Sequence, residues 1–262
     1  KIQHFPQLAK RTQSSLTASK LEDIIASVRT GGTNAVMMAY ASSPPEGVAC
    51  SSEFHDCEQF TEKIHLSLCT GMGADVYVMR AVGAVFTRTI GVEPCKIKQA
   101  LCNNLNPPEL VPNGGVDFNW RDNVNDITRD DIRQLGEGNI ARLDMGAPCK
   151  DFAKMRLLPS KYGGKLSNPR PGLAGKHGLV FLQCLLIAAW VYEFNPQCEG
   201  FTENILFDDL KDDWQVVCRQ LGIPLVLDAA DYSTNRRVRA YWIHNMSLPS
   251  YDALIAGFGP MD

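Results

Sequence analysis

KIHLSLCTGMGADVYVMRAV, residues 63–82, decides the fold. Its apolar run ends in a Gly-x-Gly turn and then takes up helical spacing, which predicts a strand over Ile64–Cys69 and a helix over Asp75–Val82. A strand that feeds a helix through glycines lets a ligand approach backbone N–H groups at the helix start. The next apolar run, Thr87–Val92, predicts a second strand and ends in GVEP at 91–94. That places Glu93 about 20 residues beyond the turn, where a carboxylate can accept both hydroxyls of a ribose. Taken alone, Glu93 reads as a surface acid ahead of a helix, and the glycine turn before it favours the ligand reading. Pro94 is expected in the first helical turn, where its missing N–H costs nothing.

Working outward, short apolar runs ending at Gly or Asn alternate with longer runs of helical spacing. Pro94–Cys102 predicts a helix, Ile140–Met145 a strand, Gly178–Tyr192 the clearest helix, Gly200–Glu203 a strand end and Leu206–Leu221 another strong helix. Leu225–Leu227 and Val238–Ile243 close the set. The alternation implies an α/β fold with a mostly parallel sheet flanked by crossover helices. Asn103–Asn119 and Ser160–Lys176, rich in Asn, Pro and Gly, read as long loops, and such loops at strand ends carry the chemistry of an α/β sheet. The three-glycine dinucleotide fingerprint is missing, so a phosphate-free nucleoside such as S-adenosylmethionine suits the turn better than NAD. Asn123 and Val124, beside a third strand, are candidates for an adenine edge and face. The candidate cofactor residues are therefore Cys69, Gly71, Gly73, Glu93, Pro94, Asn123 and Val124.

The 262 residues, 45% of them apolar, can build one large α/β domain. No stretch approaches the roughly 20 uninterrupted apolar residues of a membrane span, and the best, Leu179–Val191, contains Gln183; no membrane partner is expected. The opening KIQHFPQLAK lacks an apolar signal-peptide core. Nine cysteines without C-x-x-C pairing fit free thiols in a reducing compartment, and no metal site is expected. A net charge of −3 leaves nucleic-acid binding to local patches. One follows the Pro-Cys step: Lys150, Lys154, Arg156, Lys161, Lys165, Arg170 and Lys176, which taken alone reads as a solvated basic loop.

Three further motifs carry chemistry: GAPCKDF at 146–152, TENI at 202–205 and NRRVRAYW at 235–242. Carbon 5 of cytosine is a poor nucleophile until a thiolate adds at carbon 6, and Cys149, in a polar loop just after a strand and next to Lys150, is placed for that. A carboxylic acid near ring nitrogen 3 relieves the charge so created, which is the role read for Glu203. Arg237 and Arg239 alternate on one strand face, where a guanidinium pair can orient the base carbonyl and a neighbouring carboxylate. Each has a bland reading: a core cysteine, a helix N-terminal acid, a charged edge strand.

With these motifs in order, the chain resembles the cytosine-5 DNA methyltransferases, in the style of the animal de novo and plant domains-rearranged enzymes. NPRPGLAGKHGLVF at 168–181 resembles their stretch after the catalytic Pro-Cys, and STNRRVRAYW at 233–242 their Ser-x-x-x-Arg-x-Arg strand. The resemblance covers residues 64–245. It implies the Rossmann-like class I S-adenosylmethionine-dependent methyltransferase fold, Cys149 as nucleophile, Glu203 as acid and Arg237 and Arg239 as the orienting pair. It also implies duplex DNA with a flipped cytosine as substrate and, for a eukaryotic protein, a nuclear location; otherwise an intracellular one. The chain departs from the family at Cys69, usually Phe; Asn123, usually Asp; Lys150, usually Gln or Asn; and Asn235, usually Gln.

The ends extend this reading. MSLPSYDALIAGFGPMD at 246–262 stands where a target-recognition region would start, as its beginning or a remnant. SLTASKLEDIIASV and GGTNAVMMAYA, within residues 1–47, resemble the family's late Leu-Thr-x-x-Glu segment and Gly-Asn-x-Val cofactor helix. A circular permutation would bring Asn34 and Val36 to the cofactor ahead of a 48–245 core; the alternative is an unrelated N-terminal helix. Three activities stay open: methylation of DNA, methylation of transfer RNA by the same chemistry, and a non-catalytic scaffold that activates a homo- or hetero-oligomeric partner.

Overall fold

β1 (Ile64–Leu68) is buried along its whole length, as befits a strand covered on both faces at the centre of a sheet. The structure, a computed structural model, describes residues 19, 21–23, 25–26, 62–81, 83–109, 115–153, 170–228 and 237–245. From β1 the chain runs through α1 (Ala74–Ala81), β2 (Arg88–Val92), α2 (Lys96–Leu105), β3 (Val116–Asp117), α3 (Arg129–Gln134) and β4 (Ile140–Met145). It continues through α4 (Lys176–Phe194), β5 (Glu199–Ile205), α5 (Lys211–Leu221), β6 (Leu225–Asp228) and β7 (Val238–His244). The seven strands lie in the order β3-β2-β1-β4-β5-β7-β6. β1 to β5 pair in parallel, whereas β7 inserts antiparallel between β5 and β6.

β5 alternates buried Gly200, Thr202 and Asn204 with half-buried Phe201, Glu203 and Ile205, so one face enters the core and the other is partly open. β7 repeats the pattern, burying Ala240, Trp242 and His244. On the core face lies an aromatic cluster. Phe152 stacks at 4.5 Å on Phe207, Phe181 meets Trp242 edge-on at 6.5 Å, and Trp214 bridges Phe207 and Trp242 at 5.0 and 5.5 Å. These rings tie the segment after β4, α4, the turn after β5, α5 and β7 into one block, each buried ring contributing about 2 kcal/mol of transfer free energy. α4 is apolar on all sides and long enough to cross a membrane, but 67% of its most apolar stretch is buried inside the fold, which makes it the core helix.

Several predicted boundaries are corrected. The loop predicted over Asn103–Asn119 contains the last turn of α2 and the edge strand β3. α3, absent from the sequence reading, is started by a reciprocal capping box between Thr128 and Asp131. The helix predicted from Leu206 starts at Lys211, because Phe207 is drawn into the aromatic cluster and the chain turns there. Glu203 therefore sits inside β5, two residues before its end, and does not open a helix. Pro94 lies outside α2, whose N-cap is Cys95.

Candidate active site

Parallel pairing sets the strand ends in a row. Val92 lies beside Leu68, Leu68 beside Met145, and Met145 beside Thr202. Glu93, Cys69, Gly146 and Glu203, one residue beyond each, thus share the carboxyl edge of the sheet, the place where open α/β sheets bind ligands. β7 enters the same edge from the other direction, with Ile205 opposite Arg239. The antiparallel strand is what brings the arginines to the site.

At the cofactor end, Cys69, Gly71 and Gly73 all have left-handed backbone, with φ of 57°, 60° and 73°. Gly73 has no alternative, since a Cβ there would stand 2.3 Å from Cys102 Sγ. Thr70 staples the turn to β2: its N–H donates to the Val92 carbonyl at 3.2 Å and its hydroxyl accepts from the Val92 N–H at 2.9 Å. Glu93, 4% exposed, closes on this turn. Its Oε2 accepts from the Gly71 N–H at 3.1 Å and from Lys98 Nζ at 3.4 Å, and its Oε1 accepts from the Cys95 N–H at 3.0 Å. The carboxylate is thereby fixed beside the glycine turn, as a ribose acceptor must be.

Asn123 caps a 3-10 turn, its Oδ1 accepting from the Asn125 N–H at 3.1 Å, and Val124 is buried in the core. Asp122 is the residue that the sequence reading passed over. Gln99 donates to the Glu93 carbonyl at 2.5 Å and to Asp122 Oδ1 at 3.4 Å, and Lys96 holds the same carboxylate at 3.0 Å. The hydrogen bond from Lys96 keeps the Asp122 carboxyl below the usual range. An ionised acceptor thus stands one glutamine away from Glu93, where an adenine amine could use it; only its position directly before Asn123 could have signalled this. Asn34 and Val36 lie outside the described residues, as do Lys154, Arg156, Lys161 and Lys165.

The Cys149 loop is held from three sides. Gly146 N–H donates to the Leu68 carbonyl at 3.2 Å, and buried Asn204 donates from Nδ2 to the Ala147 carbonyl at 3.3 Å. The third hold is Asp151, 2% exposed. Its Oδ2 accepts from the His177 N–H at 2.6 Å and the Gly178 N–H at 3.2 Å, in the first turn of α4. The N-cap of α4, Gly175, has no side chain to offer, so a carboxylate from the Cys149 loop does the capping. The Cys149 carbonyl accepts from the N–H groups of Phe152 and Ala153, and the thiol is half-buried. Arg170 donates to the Phe152 carbonyl at 3.0 Å and pairs with Asp209, which joins the far end of the basic segment to this loop.

Glu203 Oε1 and Arg239 Nε are 2.6 Å apart. Arg237 is exposed, and its backbone N–H donates to Asp228 at 2.9 Å. The structure brings Glu203 and Arg239 into contact and sets Arg237 at the rim.

No family model matches the sequence, and no curated protein matches it. Solved structures that it resembles include the S. pombe Dnmt2 methyltransferase, at 17% identity over 71% of this chain and 50% of that one, with a TM-score of 0.42. A ribosomal protein L11 methylase from Lactobacillus delbrueckii subsp. bulgaricus is 9% identical over 72% of both chains, TM-score 0.37. A 30S ribosomal A1408 methyltransferase from an uncultured bacterium is 15% identical over 72% of this chain and 90% of that one, TM-score 0.37. The chain spans half the length of the first of these. The fold assignment rests on the sheet itself. The order β3-β2-β1-β4-β5-β7-β6, with β7 alone antiparallel, is that of the Rossmann-like class I methyltransferase fold.

Away from this edge, His65, Asp75 and Asp144 converge beneath α1, with ligand atoms within 4.8 Å of one another. That spacing would suit a small cation. His65 Nε2 and Asp144 Oδ2 are already 2.8 Å apart, however, and Arg142 takes the other Asp144 oxygen at 2.9 Å, so the groups close into an ion-pair network.

Proposed function

We propose that the chain is an S-adenosylmethionine-dependent methyltransferase acting on carbon 5 of a flipped-out cytosine in DNA. The observation that carries this reading is the Cys149 loop. A thiol on a short loop after β4, a loop held by Asn204 on β5 and by Asp151 at α4, lies at the same sheet edge as a carboxylate paired with Arg239. The bound cofactor would supply an electrophilic methyl group on a sulfonium centre. Cys149, as thiolate, adds at carbon 6 of the cytosine; once carbon 5 carries the methyl group, loss of the carbon 5 proton to solvent lets the carbon 6–sulfur bond break, so that the thiolate leaves and the ring is restored. Glu203 donates a hydrogen bond or proton at ring nitrogen 3, and Arg239 holds that carboxyl group in place while facing the base carbonyl. Glu93 holds the ribose, and Asp122 is a second acceptor for the adenine end. Both a thiol and a methyl donor need the ring face exposed, which requires a base out of the stack. A DNA substrate also implies residence in the nucleus of a eukaryotic host.

The test is incubation with labelled S-adenosylmethionine and either duplex DNA or RNA carrying 5-fluorocytosine. A covalent DNA adduct that disappears in Cys149→Ser supports the reading. An adduct on RNA alone transfers the chemistry to RNA, and cofactor binding without an adduct on either polymer favours the scaffold.

A further inference from the structure

Cys69 and Cys184 meet at the cofactor turn. Their sulfurs are 3.9 Å apart and share a hydrogen bond, both thiols are free, Cys69 is half-buried and Cys184 fully buried. The pair joins two parts that function keeps distinct. Cys69 is the first residue beyond β1 and carries the left-handed backbone that starts the Gly71-x-Gly73 turn, whereas Cys184 lies in the middle of the core helix α4. The Cys69 carbonyl stands 3.7–3.8 Å from where a Cβ on Gly146 or Gly71 would lie, so this residue sits between the cofactor turn and the start of the catalytic loop.

We infer that Cys69 and Cys184 form a reversible disulfide under peroxide, and that this bond clamps the cofactor turn onto α4 and lowers affinity for the cofactor. The inference rests on the methyltransferase reading for the identity of that cofactor, although not for the bond. Peroxide oxidises the Cys69 thiolate to a sulfenic acid: the S–O bond forms as the O–O bond breaks, and the second oxygen leaves as hydroxide, which becomes water with the proton that the thiol had released. The Cys184 thiol then displaces the sulfenic oxygen as a second water, and the S–S bond forms. Two thiols lose two electrons to one peroxide, and a dithiol reductant reverses the reaction. Cys69 is the sulfur that peroxide reaches, because it is the less buried of the two. The hydrogen bond to Cys69, together with burial, pushes the Cys184 thiol up, so Cys184 is the poorer target for the first oxidation.

The clamp has a direction. An S–S bond is about 2.05 Å long, so the sulfurs must approach by about 2 Å. Cys184 is fixed in a buried helix between neighbours on both sides, so the movement falls on Cys69 and the turn behind it. The Gly71 N–H, two residues on, donates to Glu93, and displacing it disturbs the carboxylate that receives the ribose. In a reducing compartment such a bond is transient and regulatory.

The experiment treats the full-length chain with hydrogen peroxide, then maps thiols by differential alkylation and mass spectrometry. Amide hydrogen exchange of residues 69–73 and S-adenosylmethionine affinity are measured before oxidation, after it and after reduction with dithiothreitol. The expected results are a linked Cys69–Cys184 peptide, altered exchange in the turn with faster exchange at Gly71 as its bond to Glu93 is disturbed, and a fall in affinity of about fivefold or more, all reversed by the reductant. Cys184→Ala, with folding verified by its melting curve, should bind cofactor like the untreated chain and ignore peroxide. Absence of the linked peptide overturns the inference, as does a linked peptide that leaves turn exchange unchanged. The same holds for an oxidation-dependent loss of affinity that persists in Cys184→Ala. If the reduced chain binds no S-adenosylmethionine, the functional reading fails, while the peptide and exchange readouts still decide the clamp.

Discussion

Asp151→Ala should weaken the fold and the candidate reaction together. The carboxylate is 2% exposed, and its Oδ2 receives two N–H groups, from His177 and Gly178, that no other residue among those described caps, the N-cap being Gly175. Charge-assisted bonds of this kind contribute about 1.5–3 kcal/mol each, but the truncated site can admit some water, and measured losses of helix caps are about 0.5–2 kcal/mol. Two bonds lost at a buried cap place the cost at about 3 kcal/mol, within the upper range of single substitutions. Asp151→Asn keeps an acceptor oxygen and loses the charge, for about 1 kcal/mol. A domain of this size holds about 5–15 kcal/mol, so both variants stay folded at 25 °C. Urea unfolding at pH 7 measures the two costs. The rate of adduct formation on 5-fluorocytosine DNA at saturating cofactor measures the second effect, expected to fall about tenfold or more in the Ala variant, since slackening a nucleophile's loop spoils its approach to the ring. Equal costs below about 0.5 kcal/mol for both variants would refute the capping argument, because surface substitutions cost as little. A full-sized loss of stability with an unchanged adduct rate would refute the link between the cap and Cys149.

Gly73→Ala forces a Cβ to 2.3 Å from Cys102 Sγ at φ +73°, combining about 1 kcal/mol of backbone strain with about 1–3 kcal/mol of overpacking. Calorimetric titration should show S-adenosylmethionine affinity reduced about tenfold or more, whereas Gly83→Ala, at φ +79° with open space around it, should leave affinity unchanged. Burial raises and His65 and Arg142 lower the Asp144 carboxyl, and the partners win, so its contribution to stability is present above the ordinary aspartate value of about 3.9 and is lost as pH falls through its lower folded value. Asp144→Asn should therefore cost about 3 kcal/mol at pH 7 and progressively less below pH 4, read by urea unfolding across pH. Asp75 has the opposite sign. Its His65-facing oxygen is shut off from solvent with no hydrogen-bond partner among the described residues, burial raises its pKa, and its contribution is complete below about 3.9 and lost as pH rises through the folded value. Asp75→Asn should raise Tm at pH 7, with the gain vanishing in acid. Glu203→Gln should lower the adduct rate by about 10²–10⁴ with unchanged cofactor affinity, and a parallel loss of affinity would place Glu203 in the wrong half of the site.

What was legible in the sequence depended on whether the signal was local. β4 was read to the residue because Ile140–Met145 is an apolar run ended by Gly146, and the glycine turn after β1 announced itself through spacing. The third strand expected beside Asn123 has no bounds in the sequence, because two residues at a sheet edge carry no period. α3 was missed although Thr128-Arg-Asp-Asp131 is a capping signature, because the six-residue helix that follows is too short for a hydrophobic stripe. In the candidate site, Cys149, Glu203 and Arg239 stand out in the sequence by their chemical types. Their supports were not: Asp151 reaches a helix 26 residues away, and Asn204 a carbonyl 57 residues away, which no spacing rule contains.

The contacts of Glu93 also fix how a ribose must enter. A carboxylate offers about four acceptor sites, and three are already taken, by Gly71, Cys95 and Lys98. Two hydroxyls need two sites, so one present partner has to leave. Gly71 and Cys95 are backbone donors whose release would reopen the turn and the start of α2, leaving buried N–H groups unpaired at about 1–3 kcal/mol each. Lys98 is different: its side chain is 51% exposed, its contact is the longest of the three at 3.4 Å, and exposed pairs of this kind contribute about 0–1 kcal/mol. Its ammonium can return to water at little cost. Under the proposed function, a ribose would therefore enter by displacing Lys98 from Glu93 while the backbone donors stay in place.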